Sequence, residues 1–389
     1  MPAADVVIVG GGVTGASTAF QLAQRNAGKI LLVERATVGA GPTAKSIGII
    51  RLHYSYEPLI RLAVRSLEMF TRFEELTGGT ADFTRAGFLL LATHAQLPPV
   101  QENVALQRRL GVRTSILSPE EIARLDPRMS LDDVGGAAFE PDSGYADGYA
   151  TTTSFAAAAR RAGAEIWEAT RAERIVTENG RVTGLDTTRG PITSARVLVA
   201  AGPWTPHLMS TAGINVPIQA SRQQVVQLEP PADFGRLEVV IEDMTQGFYA
   251  RPESRSSVLA GVLEEEAEQV VSADDFSQGV DFEFVTRVSR LWAHRYPGAS
   301  EAGVRGGYAS VYDITPDWQP VLGHVDAVEG LSVAAGFSGH GFKLGPALGE
   351  CLAALILGEQ PEIDISSFAL SRFASGRLIR GKHIQGILG

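Results

Sequence analysis

The chain opens with a wholly apolar run, VVIV at 6–9, that enters a glycine-rich turn at 10–12 and continues as VTGASTAFQLAQ. A second apolar run, ILLV at 30–33, ends at Glu34. Short unbroken apolar runs bounded by turn residues suit buried parallel strands, so the opening predicts strand, turn, helix, strand. Residues 55–77 change period: Leu59, Leu62, Ala63, Leu67, Phe70 and Phe73 recur at helical spacing. They predict one long amphipathic helix, opened by Ser55 with Pro58 in its first turn and stopped by Gly78 and Gly79. Within 85–140 the pattern is mixed, with GFLLLAT strand-like and PEEIARLDP a short helix between prolines. From Thr151 the helix and strand rhythm returns in TSFAAAARRAGAEIWEA, followed by strands in AERIVTENGRVTGLDT and ITSARVLVAAGP. Glu178-Asn179-Gly180-Arg181 between two apolar runs predicts a hairpin turn. Residues 217–316 alternate apolar and polar positions, as in QQVVQLEP and RLEVVIED, which predicts an antiparallel sheet with one exposed face. The last third, VAAGFSGHGFKLGPALGECLAALILGE, reads as strand, glycine loop and helix.

The expected fold class is therefore α/β, α+β overall: a Rossmann-like nucleotide domain joined to a mostly antiparallel substrate domain. At 389 residues the chain exceeds the size at which one core keeps growing. The pattern divides it into a discontinuous first domain at 1–80, 141–216 and 318–389, and a second at 81–140 and 217–317.

The opening turn carries the first chemistry. Gly10 permits the tight turn, Gly12 lets backbone approach a pyrophosphate, and Gly15 lets the helix pack on its strand. The helix N-terminus adds N–H groups and positive dipole, with Val13 and Thr14 in its first turn. Glu34 is placed to accept hydrogen bonds from ribose hydroxyls, and its charge disfavours a 2′-phosphate. An ADP-bearing cofactor follows, and NADP is disfavoured.

Composition narrows the partners. A net charge of −10 argues against nucleic acid and against an anionic membrane surface. No apolar run reaches a membrane span, and the start MPAAD lacks a basic n-region, so a cytoplasmic location is expected. The single cysteine, Cys351, reads as a small core residue in LGECLAALIL. Seven dispersed histidines show no metal-ligand spacing, so no metal is expected.

GFSGHGFKLGP at 336–346, preceded by YDITPDWQPVLG at 312–323, resembles the closing segment of the sarcosine and glycine oxidase branch of the D-amino-acid oxidase family. GIIRLHY at 48–54 and VLVAAGPWT at 197–205 fit the same family in the same order. The resemblance implies FAD as cofactor and oxidation of an amine of amino-acid type. It implies cofactor contacts from Gly10, Gly12, Val13, Thr14, Gly15, Glu34 and Arg35 at the first turn and strand. It adds Thr43, Ala44, Lys45 and Ser46, then Ala172, Ala201, Gly202 and Trp204, and finally Gly339, His340, Gly341, Phe342 and Lys343. The residues themselves agree, since Gly336, Gly339 and Gly341 leave room for a flat ring against bare backbone, with a helix N-terminus aimed at it.

Arg51 and Lys343 match family cations that grip a substrate carboxylate, a task suited to the planar fork of arginine. Tyr249 and Tyr312 match positions lining the substrate cavity. Ser310 and Lys45 stand where some relatives carry a cysteine or histidine tether, so FAD is expected to be non-covalent. Leu259 stands where some oxidases hold a lysine that stabilises superoxide, and Gly48 replaces an arginine near the flavin; the first departure makes oxygen a poorer acceptor unless Lys343 or Arg251 supplies the charge. The expected reaction is hydride transfer from the carbon beside nitrogen in a small or N-alkyl amino acid. D-amino acids, glycine, a hydroxy compound, a role as flavin subunit passing electrons to a partner, and NAD binding without flavin stand as alternatives.

Overall fold

Strands whose every residue is apolar must be covered on both faces, and the first sheet is built that way. The computed structural model describes residues 2–254, 256–263 and 269–379, so the last ten residues of the segment expected at 318–389 lie outside it. Six strands run in the order Val321–His324, Leu331–Ala335, Val197–Val199, Val6–Val9, Ile30–Val33 and Glu165–Trp167. All neighbours are parallel except the first pair, which is antiparallel. One face is covered by the helices Val13–Gln24, Gly148–Arg161 and Gly341–Ile356, whose buried residues share a core with Val6, Ile8, Ile30 and Leu32. The other face packs on a three-stranded sheet that contains the hairpin Ala172–Glu178 and Arg181–Thr187. Its turn residues Asn179 and Gly180 have φ of 50° and 76°, as the asparagine–glycine pair predicts.

Gly10 turns the chain out of the first strand with φ 110°, and a Cβ there would strike the Ala200 carbonyl. A Cβ on Gly15 would strike the Gly10 carbonyl oxygen, so helix and strand touch backbone to backbone. The Gly341–Ile356 helix contains Pro346, which leaves a gap in its hydrogen-bond ladder. Neighbours brace this turn: Ser66 Oγ donates to the Leu344 carbonyl at 3.3 Å and accepts from Ala347 N–H at 3.2 Å, while Ser17 Oγ donates to the Pro346 carbonyl at 3.1 Å.

The second layer is an eight-stranded sheet, ordered Gly303–Ile314, Gln219–Glu229, Val258–Val262, Phe248–Pro252, Val240–Asp243, Phe88–Ala92, Gly136–Glu140 and Ser115–Leu117. It is antiparallel except where Val240–Asp243 runs parallel to Phe88–Ala92. The alternation at 217–316 predicts one solvated face, but neither face of its central strands is open. The helix Phe282–Arg295 covers one side through Val288 and Trp292, while Leu90, Val240 and Tyr249 pack on the other with Val100 and Val104 of the Leu97–Arg109 helix. The sequence reading assigns neither helix: Leu97–Arg109 buries only Val100, Asn103, Val104 and Gln107, and the helical spacing of Phe284, Val288 and Trp292 lies inside the segment read as alternating strands. The expected 55–77 helix is two pieces, Glu57–Thr71 and Phe73–Thr77, broken at Arg72, with Tyr56 rather than Ser55 at its start. Gly78 closes the second piece in the left-handed conformation. Cys351 is buried in the core, where burial pushes its thiol up to about 12.

Candidate active site

A cavity of about 900 Å³ begins on the first glycine turn and ends between the two sheets. Its near end is walled by Gly10, Gly12, Val13, Thr14, Glu34 and Arg35, and its flank by Thr43, Lys45, Ser46, Ala172, Ala201, Gly202 and Trp204. Its far end meets Gly339, Gly341 and Phe342 together with Tyr249, Ser310 and Tyr312. One hollow thus joins the N-termini of two helices that start at residues 13 and 341. Gly15, Ala44, His340, Arg51 and Lys343 are not part of its wall.

Glu34 closes the second strand with its carboxylate on the turn. It accepts Gly11 N–H at 2.7 Å and Ala36 N–H at 2.8 Å. Thr43 Oγ1 caps the helix start by accepting Val13 N–H at 3.4 Å. Across the mouth, Arg35 lies 4.2 Å from the Trp204 ring, and Asp274 binds both, at 2.8 Å to Arg35 and 2.9 Å to the indole N–H. Lys45 donates to Gln278 at 2.9 Å.

The far end is held by Asp313, a buried residue of the cavity wall on the Gly303–Ile314 strand that the sequence reading does not single out. Its carboxylate accepts Gly336 N–H at 2.7 Å, and its carbonyl accepts Ser338 N–H at 3.1 Å. Burial pushes its pKa up to about 6 against the pull of these N–H groups. The side chain therefore anchors the loop that leads into the Gly341 helix.

Behind Tyr249 and Tyr312 lies a charged cluster sealed from solvent. Arg51 Nε is 3.1 Å from Glu242 Oε2, its Nη1 donates to the His53 carbonyl, and its guanidinium stands 4.6 Å from the Tyr54 ring. Burial opposes the arginine charge, but Glu242 and the surrounding oxygens outweigh it and raise its pKa. Burial raises the Glu242 pKa, while Arg51 and Lys343 pull it back. Lys343 is pushed down to about 7 by burial and by Arg51, partly offset by Glu242. Glu140 is pushed up to about 7 by burial, although Ser143 at 2.7 Å and Leu52 N–H at 2.9 Å hold its carboxylate. His53, lowered to about 3, and His340, also lowered, are kept neutral by burial and by neighbouring cations. Glu242 escapes a sequence reading because an acid on an alternating strand is assigned to its wet face, and that face is covered here; Glu140 ends a strand, Gly136–Glu140, within the stretch read only as mixed.

The residues present fit a flavin dinucleotide: glycine-edged backbone and the Glu34 carboxylate in the cavity wall at one end, and a glycine loop with a helix N-terminus at the other. Among the described residues no cluster of His, Cys, Asp or Glu could hold a metal, and no helix is long and apolar enough to cross a membrane.

Comparison with known proteins agrees with this geometry. The chain is 27% identical over 375 residues to 4-methylaminobutanoate oxidase (formaldehyde-forming) of Paenarthrobacter nicotinovorans, covering 95% of this chain and 45% of that protein. It is 26% identical to glycine oxidase of Geobacillus kaustophilus, over 95% of this chain and 97% of that one. The crystal structure of L-proline dehydrogenase from P. horikoshii superposes with a TM-score of 0.89 at 27% identity, covering 97% of this chain and 100% of that one. The chain spans less than half the length of several curated relatives, the methylaminobutanoate oxidase among them. The model of the DAO family, FAD dependent oxidoreductase, matches residues 5–355, and the chain belongs to that family.

Proposed function

We infer that this chain oxidises the C–N bond of a small amino acid or N-alkyl amino acid with non-covalently held FAD. Carrying this reading is one observation: the cavity that starts on the dinucleotide turn ends at Tyr249 and Tyr312, with Arg51 and Lys343 in the cluster behind them. The names of the relatives, which are oxidases and dehydrogenases of glycine, proline and a methylamino acid, support the substrate class. Bound FAD supplies the acceptor for a hydride from the carbon beside nitrogen. Segments 1–80, 141–216 and 318–389 form the cofactor domain in this reading, and 81–140 with 217–317 the substrate domain. Gly10, Gly12 and Glu34 hold the ADP end, Thr43, Lys45, Ser46 and Ala201 to Trp204 the middle, and Gly339, Gly341 and Phe342 the ring, while Gly15 acts only through its packing on the Gly10 carbonyl. Arg51 and Lys343 attract the substrate carboxylate, while Tyr249 and Tyr312 shape the slot for the amine. The protein works in the cytoplasm, and it takes its substrate as the neutral amine.

The test is an absorbance spectrum taken before and after anaerobic addition of sarcosine, proline, glycine and D-amino acids. Bleaching of the flavin band by one of them is the expected result, and a colourless protein or a band unmoved by all of them overturns the reading. In a second experiment Arg51→Ala weakens binding of carboxylated amines and leaves FAD content unchanged; equal losses for amines with and without a carboxylate count against that role.

A second reading, a flavin subunit that passes electrons to a partner, is favoured by the absence of a lysine at Leu259. Leu259 is buried, and its strand partner Arg251 is committed to Glu253 and the Ile47 carbonyl. Rapid dye reduction with little oxygen uptake supports this version, and fast oxygen uptake by the isolated chain excludes it.

A further inference from the structure

Arg51 and Lys343 share their cluster with an acid that balances one of them from inside the protein. Glu242 and Arg51 are 3.1 Å apart, with side chains only 5% and 3% exposed. Lys343, in the first turn of the Gly341 helix, feels Glu242 as a counter-charge and Arg51 as a like charge. Glu242 sits directly opposite Tyr249 on adjacent antiparallel strands, so both side chains leave the sheet on the same face. Tyr249 is in the cavity wall, which places the acid one side chain behind the space a substrate would fill. With Lys343 protonated, two cations and one carboxylate sum to a single positive charge. Glu140, which also acts on Arg51, can only lower that sum. Beside side chains buried this deeply, a second uncompensated anion is only weakly screened by solvent.

Resting on the functional reading above, we propose that Glu242 is a specificity-determining positioning residue. Acting through Arg51 and Lys343, it takes the place of one carboxylate, so that the site admits amines bearing a single carboxylate and rejects those bearing two. Glu242 touches neither substrate nor flavin in this arrangement; it sets how much negative charge the cation pair will accept.

The test titrates the FAD-loaded protein with acetate and with malonate, reading the perturbation of the flavin absorption band. Wild type binds acetate at least about tenfold more tightly than malonate, the scale of one buried charge pair. Glu242→Gln loses that preference, and Glu242→Asp restores it. Because removing one partner of a buried pair threatens folding, the wild-type comparison stands by itself as a test. Malonate binding as tight as acetate in wild type, no binding of either anion, or an unchanged ratio in folded Glu242→Gln overturns the proposal. Failure of every amine to bleach the flavin overturns the functional reading instead, and leaves the anion titration to judge Glu242.

Discussion

Lys343 shows how a single side chain ties burial to pH. Its folded value of about 7 lies well below the ordinary lysine range, so between about 7 and 10.5 the unfolded chain holds a proton that the folded one has shed. Stability contributed by this group therefore rises with pH across that window, and its burial penalty is full below about 7. The charge that would attract a carboxylate has the opposite trend, fading as pH climbs past about 7. The expected outcome is a KM for carboxylated amines that rises above that pH in wild type and stays flatter in Lys343→Arg. Separate pH profiles of KM and kcat check this, and identical profiles for the two proteins refute it. Asp313 works through hydrogen bonds. In Asp313→Ala the buried Gly336 N–H loses its acceptor, at a cost of about 1–3 kcal/mol, and FAD is held less firmly. Thermal unfolding and flavin retention on a desalting column measure both effects.

At the scale of elements, the Val13–Gln24 and Gly341–Ile356 helices pack closely enough to leave no room for a methyl group. A Cβ on Gly349 would strike Ser17 Oγ and lie 2.7 Å from the Ser17 backbone carbon. Gly349→Ala should therefore cost about 1–3 kcal/mol and separate the two helix N-termini that bracket the cavity. A lower Tm with weakened FAD affinity is the expected pair of results; an unchanged Tm would show that the helices tolerate the extra volume. The glycine spacing in LGPALGE is visible in the sequence, but its partner Ser17 stands over 300 residues away and nothing local announces the contact. The break at Arg72 is similarly hidden, because Phe70 and Phe73 keep a helical period across it.

Across the whole molecule, the strand Val240–Asp243 sends adjacent acids to opposite faces of the large sheet. Glu242 pairs with Arg51 on the cavity side, while Asp243 lies 2.8 Å from Arg295, both side chains fully buried, beneath the Phe282–Arg295 helix. Arg295 also pairs with Asp133 at 2.9 Å and donates to the Ser130 carbonyl, so it ties three segments together. Asp243→Ala strands that guanidinium and should destabilise the protein by about 3–5 kcal/mol. Chemical denaturation gives the loss directly, and a change below about 1 kcal/mol would mean that Asp133 alone balances the charge.

Residue order alone was enough for the dinucleotide turn, the strands 6–9 and 30–33, the hairpin at Asn179-Gly180 and the closing glycine loop, because each depends on neighbours in the chain: an apolar run, a residue that tolerates positive φ, a helix start. It also marked Tyr249 and Tyr312, which line the cavity, and Arg51 and Lys343, which lie behind it. What surrounds those cations follows from how the layers pack. Glu242, Glu140 and Asp313 come from distant strands, and an acid on a strand reads as solvated until a second layer covers it. Burial and pairing are properties of that covering, which is why the charge balance of the site emerges only when the two sheets meet.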